Sequence, residues 1–494
     1  MWMKNDDRSH TQTTQSILTW VVAFVLAGVL AGVGTAQAAT GVPGKPGEPK
    51  TVFEERFENT THPVAINDYM GPDHWGKPMY TADKDWLPVG RGCNGWVMSP
   101  SDANPGGPCS SRDAWEHLRA MVWVLGKAQG MSDGEADSNH AVSAITNHLD
   151  QTQEAGLLIR SRKNAAKAIP GRFYAVAALF AATSCETHPQ SVPALKFSLL
   201  VNGIPRPLGM GTGLCGSKPV SKNGVDVWAE RLSSSAMLIE KADNLGMQVE
   251  NLTATGIGND AAFDVPQILD VTPQLDQGFQ SATTQVGSVI NLVYTITNTK
   301  DLKAKQGWSF SAQLPAWVKP VSAPTTTCEQ GDVKTDGSKV SARGNLADGQ
   351  TSCTVTVPVE VTAQGNHTLE ADSIQTIRGL DMPGSASLTS IETPVSPDEG
   401  SPTGKPSATG SPGSADPKPG TVVSGPAPSP SGTTTQPQAT SAGAAQPQAK
   451  TARTTPQAQT GGRALHPGIG GLIVGFSLVQ AGAWLAIHRG VFAR

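Results

Sequence analysis

The chain has 494 residues, and its 37 basic and 41 acidic side chains give a net charge of −4. The sequence shows no basic stripe and no block of like charge, which argues against nucleic acid or an anionic surface as a partner. It also lacks the H-E-x-x-H and G-x-S-x-G motifs. We therefore predict a protein that is not an enzyme.

Residues 1–38 have the three parts of a secretory signal. Lys4 and Arg8 precede an apolar run from Ile17 to about Val33, and Ala36-Gln37-Ala38 supplies the small residues of a cleavage site. We expect this signal peptide to be removed on export. Because the apolar run is long, an uncleaved anchor is the alternative.

Six cysteines in an exported chain imply disulfide bonds. They form three couples that are close in sequence, and proximity favours Cys93–Cys109, Cys185–Cys215 and Cys328–Cys353. Each bond would close a loop of modest length, worth on the order of 3 kcal/mol in the chain-entropy model. Six cysteines allow about fifteen connectivities, and no couple has the C-x-x-C spacing of a zinc or redox site.

Residues 51–271 are predicted to form the first folded domain. About ten short segments rich in strand-forming residues suggest a jelly-roll or similar double-sheet fold. One helix interrupts them in "SSRDAWEHLRAMVWVLGKAQG", where Ser111 is a suitable cap and apolar residues recur at helical spacing from Trp115 to Leu125.

Residues 272–392 are predicted to form a second β-sandwich. The segment "SVINLVYTITNT" alternates apolar and polar residues, and Val355 to Val361 make another face with a period of two. Further short strands follow, with Gly, Pro, Asn and Asp between them, as is typical of an Ig-like domain. The predicted fold class of the whole chain is therefore all-β, with two sandwiches in series.

The remaining residues predict a stalk and a membrane anchor. Residues 393–467 consist mainly of Pro, Gly, Ser, Thr, Ala and Gln, a composition typical of a disordered linker. The segment Gly468–Ile487 is apolar and long enough for a transmembrane helix, and residues 488–494 form a short basic tail expected in the cytoplasm. We predict a single-pass protein of the cell membrane with an extracellular ectodomain.

The second domain resembles a family of bacterial surface modules. Its markers are a Thr-x-Thr-Asn run, the pair Leu314-Pro315 and a Gly-x-x-x-Cys-Thr-Val step at residues 349–355. These are similar to the Ig-like conserved-repeat domains of Gram-positive, especially actinobacterial, surface proteins. The resemblance implies a stalk unit or an adhesin module and supplies no catalytic residue.

The first domain also has a family resemblance. "VFEERFEN" near its start and "GIGNDAAFD" near its end resemble the lectin-like, carbohydrate-binding jelly-rolls of bacterial secreted proteins. In that family the last strand commonly reads Gly-Asn-Asp-Phe-Ala-Leu-Asp-Asp-Ile. Here Gly258, Asn259, Asp260 and Asp264 match, whereas Val265 replaces the second acid of the Asp-Asp pair.

Calcium is the cofactor that these residues suggest, as a structural ion. The resemblance implies an ion where the first and last strands meet, with Glu55 or Glu58, Asp260 and Asp264 as oxygen ligands. A second candidate is "SDGEADSN", with Asp133 and Asp137 among alternating acids, although Ala144 stands where an EF-hand loop needs glutamate. The alternative in both places is an acidic turn exposed to solvent.

Aromatic residues suggest a ligand platform in the first domain. Trp75, Tyr80 and Trp86 lie in the loop-like segment "DHWGKPMYTADKDW" and are candidates for exposed stacking faces. Burial against the sheet is the alternative, since tryptophan is highly buried on average. Asp270 and Asp276, at the junction of the two domains, are expected to have no role.

These observations predict a surface protein of a Gram-positive bacterium. We expect an adhesin whose first domain binds a glycan or an extracellular protein. The alternatives are a structural spacer that binds nothing and an envelope glycan hydrolase. A eukaryotic type I membrane protein, glycosylated at Asn59, Asn251 and Asn366, is a further alternative that the family resemblance disfavours.

Overall fold

The computed structural model describes residues 41–71, 76–88, 92–110, 112–146 and 154–392. The predicted signal peptide, stalk, transmembrane segment and basic tail lie outside these residues, as does Trp75. All of the described residues belong to one compact unit. Within them, no helix is both long and apolar enough to cross a membrane.

The first sandwich contains fifteen strands among the described residues. They are β1 (Lys50–Glu54), β2 (Val64–Ala65), β3 (Tyr80–Thr81), β4 (Cys93–Met98), β5 (Ala141–Ile145), β6 (Gly156–Ser161), β7 (Ala166–Lys167), β8 (Arg172–Ala182), β9 (Leu195–Val201), β10 (Ile204–Gly211), β11 (Val220–Lys222), β12 (Val225–Ser233), β13 (Met237–Ile239), β14 (Asn244–Asn251) and β15 (Ala261–Asp270).

These strands form two sheets of antiparallel pairs. The larger sheet has the order β11-β12-β8-β15-β5-β4-β2, with β1 also on β15 and β13 also on β8. The smaller sheet has the order β10-β9-β14-β6-β3, with β7 also on β14. Phe180 and Phe263 of the larger sheet meet Phe197 and its neighbours of the smaller sheet in the core between them. The predicted sandwich of two sheets is confirmed.

Two helices cover the outer face of the larger sheet. Helix α1 (Arg112–Ala128) buries Trp115, Leu118, Val122 and Leu125 against that face, which confirms the predicted helix. The short helix α2 (Asp133–Ser138) begins with a capping box, in which Ser132 and Glu135 each bond to the other's backbone nitrogen. The larger sheet is therefore buried on both faces, which explains why every residue of β15 and every residue of β8 after Arg172 is buried.

The second sandwich contains twelve strands. They are β16 (Gln274–Phe279), β17 (Thr283–Gln285), β18 (Val289–Thr297), β19 (Lys305–Gln313), β20 (Val318–Pro320), β21 (Thr325–Thr326), β22 (Glu329–Asp336), β23 (Lys339–Leu346), β24 (Ser352–Val361), β25 (Gly365–Leu369), β26 (Ile374–Arg378) and β27 (Ala386–Ile391). Three-residue 3-10 helices also occur at Lys84–Trp86, Gly107–Cys109 and Ala371–Ser373.

The second sandwich has its own core. One sheet has the order β16-β18-β24-β20 with β21 also on β24, a second has the order β22-β23-β19-β26, and β17-β27-β25 form a third. Alternate residues of β24 from Cys353 to Val361 are buried, as the pattern of the sequence predicts. They pack with Tyr294, Trp308 and Phe310. The predicted second β-sandwich is therefore confirmed as a set of sandwich-like sheets.

The three predicted disulfides are present. Cys93–Cys109 joins β4 to the turn before α1, and Cys185–Cys215 joins the segment after β8 to the segment after β10. Cys328–Cys353 joins the residue before β22 to β24. None of the described cysteines is free. The first two bonds hold loops at the edge of the first sandwich, where side chains from several strands converge.

The two sandwiches meet in a polar seam. Arg172, the first residue of β8, forms ion pairs with Asp270 of the first sandwich and Asp381 of the second. Glu240 and Arg378 form a second ion pair across the seam. The backbone adds a hydrogen bond from the amide of Gly379 to the carbonyl of Gly171, 2.7 Å long.

Candidate functional site

A polar cleft lies at the end of the first sandwich that faces away from the seam. β8 starts at the seam with Arg172 and ends at Ala182, and the next two residues line the cleft. Ten residue steps along a strand place the cleft roughly 33 Å from the seam. We call it the distal cleft; it encloses about 340 Å³ and is lined by His117, Ile145, Thr146, Thr183, Ser184, Glu186, Thr187, His188, Gly224, Val225, Asp226, Trp228, Ile257, Gly258 and Asp260.

The segment Gly258-Asn259-Asp260 forms one wall of the distal cleft. Gly258 has a φ of +72°, and a Cβ there would lie 2.6 Å from the Cβ of His188, so only glycine fits. The side chain of Asn259 accepts a hydrogen bond from Asn251 and donates one to the carbonyl of Thr253. The motif that suggested a lectin-like last strand therefore shapes the loop that leads into β15.

Asp260 lies at the base of the distal cleft and is buried. Its Oδ1 accepts a hydrogen bond of 2.9 Å from the amide of Thr146, and its Oδ2 accepts from the hydroxyls of Thr183 and Ser184. Burial raises the pKa of Asp260, while these hydrogen bonds and the nearby His117 oppose the rise. Asp260 therefore holds three chain segments together at the cleft's base.

The rim of the distal cleft carries polar groups, of which the Nδ1 of His117 contacts the carbonyl of Asp113 at 2.6 Å and the Nδ1 of His188 contacts the hydroxyl of Thr187 at 3.1 Å. Glu186 and Asp226 are exposed, whereas His117 and His188 are half-buried. Trp228 also lines the cleft but is only 5 % exposed, so it offers little stacking surface. Carboxylate, imidazole and hydroxyl groups around a volume of this size suit a polar ligand that both donates and accepts hydrogen bonds.

Asp264 lies on the outer face of the larger sheet, in a different place from Asp260. Its carboxylate accepts hydrogen bonds from Gln129 (2.7 Å), Asn139 (3.1 Å) and the amide of Val265 (2.7 Å). Burial raises its pKa to about 7 in spite of these bonds. Asp264 therefore joins the end of α1 and the residue after α2 to β15.

The residues that depart from the lectin-like pattern form a β-bulge. Val265 has a φ of +47°, and the register of β15 with β8 shifts between Asp264 and Gln267. A β-branched residue rarely adopts this conformation, and here the bond from its amide to Asp264 stabilises it. Pro266 follows in the bulge, where its carbonyl accepts from the amide of Glu55.

Glu55 lies on the other face of the larger sheet, in the core between the sheets. Its Oε1 accepts from the amides of Arg56 and Phe57 and from the hydroxyl of Tyr69, and its Oε2 accepts from the hydroxyl of Tyr80 at 3.0 Å. Burial and the charge of Glu55 raise the pKa of Tyr80 well above its ordinary value. This buried cluster was not predicted from the sequence.

The other predicted calcium ligands bond to protein groups. Glu58 bonds to the imidazole Nδ1 and the amide of His140, at 2.8 and 3.1 Å. Burial lowers the pKa of that histidine, but Glu58, with smaller contributions from Asp102 and Asp264, raises it by more. Asp133 and Asp137 lie in helix α2, where they pair with Lys127 (2.8 Å) and Lys222 (3.3 Å). The predicted ion-binding loop is therefore wrong at this place.

A shared calcium ion does not fit the first set of candidates. Asp260, Asp264 and Glu55 occupy the distal end, the outer face and the inner face of one sheet, and N–H or O–H donors bond to all three carboxylates. Within the described ranges, no three Asp, Glu, His or Cys side chains form a group that could hold a metal. These contacts do not support calcium here, and calcium elsewhere stays a prediction.

The predicted aromatic platform is wrong for two of its three residues. Tyr80 and Trp86 are each only 1 % exposed, because Tyr80 packs in the core beside Phe57 and the indole of Trp86 donates to the carbonyl of Glu154. Trp75, the third residue, lies outside the described residues. The alternative of burial against the sheet holds for Tyr80 and Trp86.

Asp270 has a role that the sequence did not indicate. It is buried, forms the ion pair with Arg172, and accepts hydrogen bonds from the amide and hydroxyl of Thr272. Burial lowers the pKa of Arg172, but Asp381 and Asp270 together raise it by more. The expectation that Asp270 has no role is therefore wrong. No local sequence signal could have identified its partner, which is 98 residues away.

The second sandwich matches a known family. Residues 273–390 match the family described as "Domain of unknown function (DUF7933)". No curated protein matches the chain. The family match covers almost the same residues as the second sandwich.

Several solved structures are similar to parts of the chain at low identity. The seventh ScaB type I cohesin from Pseudobacteroides cellulosolvens is 14 % identical with a TM-score of 0.19, over 26 % of this chain and 96 % of the cohesin. The N-terminal domain of the Streptococcus gordonii adhesin Sgo0707 is 9 % identical with a TM-score of 0.21, over 53 % and 65 %. Collagen adhesin (CNA) from S. aureus is 10 % identical with a TM-score of 0.18, over 48 % and 87 %.

Proposed function

We propose that this chain is a membrane-anchored surface adhesin whose first sandwich binds a glycan, or the polar surface of an extracellular protein, in the distal cleft. The observation that carries the proposal is the position of the cleft at the end of the first sandwich remote from the seam. In the sequence, the stalk and the apolar run Gly468–Ile487 follow the second sandwich. Under this proposal the ligand binds at the end of the first sandwich remote from the second sandwich, to which the stalk is joined in the sequence.

The chemistry of the cleft favours a ligand rich in hydroxyl groups. Glu186 and Asp226 at the rim accept hydrogen bonds. The Nδ1 of His117 donates to the carbonyl of Asp113, so the neutral ring offers its Nε2 as an acceptor, whereas His188 donates or accepts according to its tautomer. Because Trp228 is buried, recognition would rely on hydrogen bonds more than on stacking. We further propose that the first sandwich is a lectin-like jelly-roll and that the second is an Ig-like module. The proposal gives the chain no catalytic role.

Binding to arrays of glycans and matrix proteins tests the proposal. The full chain in detergent is compared with the double variant Glu186→Gln/Asp226→Asn, which removes two rim charges and keeps side-chain size. A selective signal should fall tenfold or more, since a hydrogen bond to a charged group contributes about 1.5–3 kcal/mol. The control Glu329→Gln/Asp336→Asn removes two exposed charges on β22 of the second sandwich and should bind as the wild type does.

Running the array with calcium and again with EDTA separates the remaining alternatives. A signal that EDTA abolishes would support a metal ion in the head, outside the three carboxylates described above. Equal signals in the two buffers would leave the adhesin proposal intact without calcium. Absence of any selective signal, or equal binding by the rim variant, would contradict the proposal and favour a spacer that binds nothing.

A further inference from the structure

A second pocket, of about 260 Å³, lies at the seam between the two sandwiches. Its walls come from the start of β16, the end of β18, the ion-paired residues of the seam and the segment of residues 41–48, which we call the strap. The strap is held by a bond of 2.9 Å from the amide of Gly44 to the hydroxyl of Thr297, and by the pairing of Gly47 with Thr299. The pocket is therefore a built feature of both sandwiches.

Asp276 is the unusual group in this seam pocket. On β16, Leu275 points into the core of the second sandwich, so Gln274 and Asp276 point the other way, toward the pocket. Asp276 is only 7 % exposed, and its Oδ2 has no hydrogen-bond partner among the described residues. A buried carboxylate oxygen without a partner is costly, and such groups in folded proteins usually have one.

The other charges around the pocket have partners of their own. Arg172 pairs with Asp270 and Asp381, Lys50 also reaches Asp381 at 3.4 Å, and Glu48 pairs with Lys300. Lys45 lies exposed at the rim and has no ion pair with Asp276 in the structure. The pocket thus has at its wall a carboxylate, that of Asp276, without an ion-pair partner among the described residues.

We propose that the seam pocket binds a primary ammonium group, held by the carboxylate of Asp276. An ammonium carries one positive charge and three N–H donors, which match an unpartnered carboxylate and the hydroxyl and carbonyl oxygens around it. Burial raises the pKa of Asp276 to about 6, and a bound cation would lower it. A metal ion fits less well, since the described residues provide no group of three metal-binding side chains.

Two sources can supply this ammonium group. One is a free small amine or a lysine side chain of a partner. The other is the chain itself: cleavage after Ala38 would leave an α-amine at Ala39, two residues before Gly41, which lines the pocket. Two residues reach about 7 Å, so this amine would lie within reach of the pocket.

The test measures the unfolding temperature of the full chain in detergent at pH 8, with methylammonium chloride or tetramethylammonium chloride at about 50 mM. Methylammonium has N–H donors and tetramethylammonium has none. If the site takes a free amine, methylammonium should raise the unfolding temperature of the wild type by about 2 °C. It should not raise that of Asp276→Asn, and tetramethylammonium should raise neither. The control Asp336→Asn, at an exposed position, should behave as the wild type.

A chain that fills its own site would give a different pattern. The wild type would then ignore methylammonium, whereas Ala39→Gln, whose new N-terminal glutamine cyclises to a neutral group, would unfold at a lower temperature and regain stability with methylammonium. Mass spectrometry of the N-terminal peptide shows at which residue the purified protein begins and whether that residue has cyclised. The variant Lys45→Gln tests whether the rim lysine supplies the ammonium group. If methylammonium changes its unfolding temperature as it changes that of the wild type, Lys45 is excluded.

A measurement on the wild type alone covers the case in which Asp276→Asn fails to fold. Stabilisation by methylammonium should be present at pH 8 and should fall markedly at pH 5, below the pKa of about 6 to which burial raises Asp276. The proposal is wrong if methylammonium and tetramethylammonium change the unfolding temperature equally, both in the wild type and in Ala39→Gln. It is also wrong if Asp276→Asn keeps the full response.

Discussion

Removing Arg172 should weaken the seam and destabilise the ectodomain. Arg172→Met keeps the apolar stem but removes the guanidinium from Asp270 and Asp381. The side chain of Asp270 is only 4 % exposed, whereas that of Asp381 is 17 % exposed. Breaking a buried pair costs about 3–5 kcal/mol, and because Asp381 retains some solvent and Lys50 we expect about 3 kcal/mol.

Unfolding of residues 41–392 by the denaturant guanidinium chloride measures this change in the free energy of unfolding. The double variant Arg172→Met/Asp270→Asn removes both charges and should recover most of the loss, because no buried charge is left without a partner. Lys50→Met is the matched control: Lys50 is 65 % exposed, so its loss should cost less than about 0.5 kcal/mol. A change below about 0.5 kcal/mol for Arg172→Met would refute the reasoning.

Three further predictions concern the first sandwich. Tyr80→Phe should lower the free energy of unfolding by about 2 kcal/mol, because Oε2 of Glu55 loses its donor. Tyr69→Phe should lower it by less, since Oε1 of Glu55 keeps its bonds from two backbone amides. Thermal unfolding compares the two variants. Replacing Cys185 and Cys215 by serine should cost about 3.5 kcal/mol, from the entropy of the 30-residue loop, and should abolish any array signal, because the bond anchors the segment that lines the distal cleft. The pKa of Asp264 is raised to about 7 from 3.8 by burial, so its contribution to stability is complete below about pH 4 and is lost as the pH rises to about 7. Asp264→Asn should remove this pH dependence, which amounts to a change of up to about 4 kcal/mol in the free energy of unfolding between about pH 4 and pH 8. An unchanged pH dependence in the variant would contradict the assignment.

Local pattern was sufficient for most of the fold. The alternation of β24 predicted its buried face, and the spacing of Trp115 to Leu125 predicted α1, because both patterns arise from burial on one side of an element. The disulfides followed from proximity along the chain, since each bond closes a loop of 16 to 30 residues. Such features depend on neighbours in sequence, which the sequence displays directly.

The sites were predicted less well because they depend on which face of a sheet a side chain occupies. Asp260 and Asp264 are four residues apart in sequence, yet one lies at the distal end and the other under the helices. The bulge at Val265 and Pro266 changes the alternation of β15, so counting along the strand could not place the later residues. Helix α2 was missed because its acids alternate as ion-binding loops do, while its capping box at Ser132 and Glu135 was the signal to use.

The seam explains why acids near the junction were misjudged and what they contribute. Only three residues, Val271 to Pro273, join β15 to β16, and the amide of Val271 bonds to the carbonyl of Phe173, while its carbonyl accepts from Thr299. A connection this short, bonded on both sides, cannot act as a flexible linker. Together with the ion pairs of Arg172, it fixes the direction in which the first sandwich extends from the second. The distal cleft is therefore held at a set distance from the second sandwich, and weakening the seam should alter the reach of the cleft without altering its chemistry.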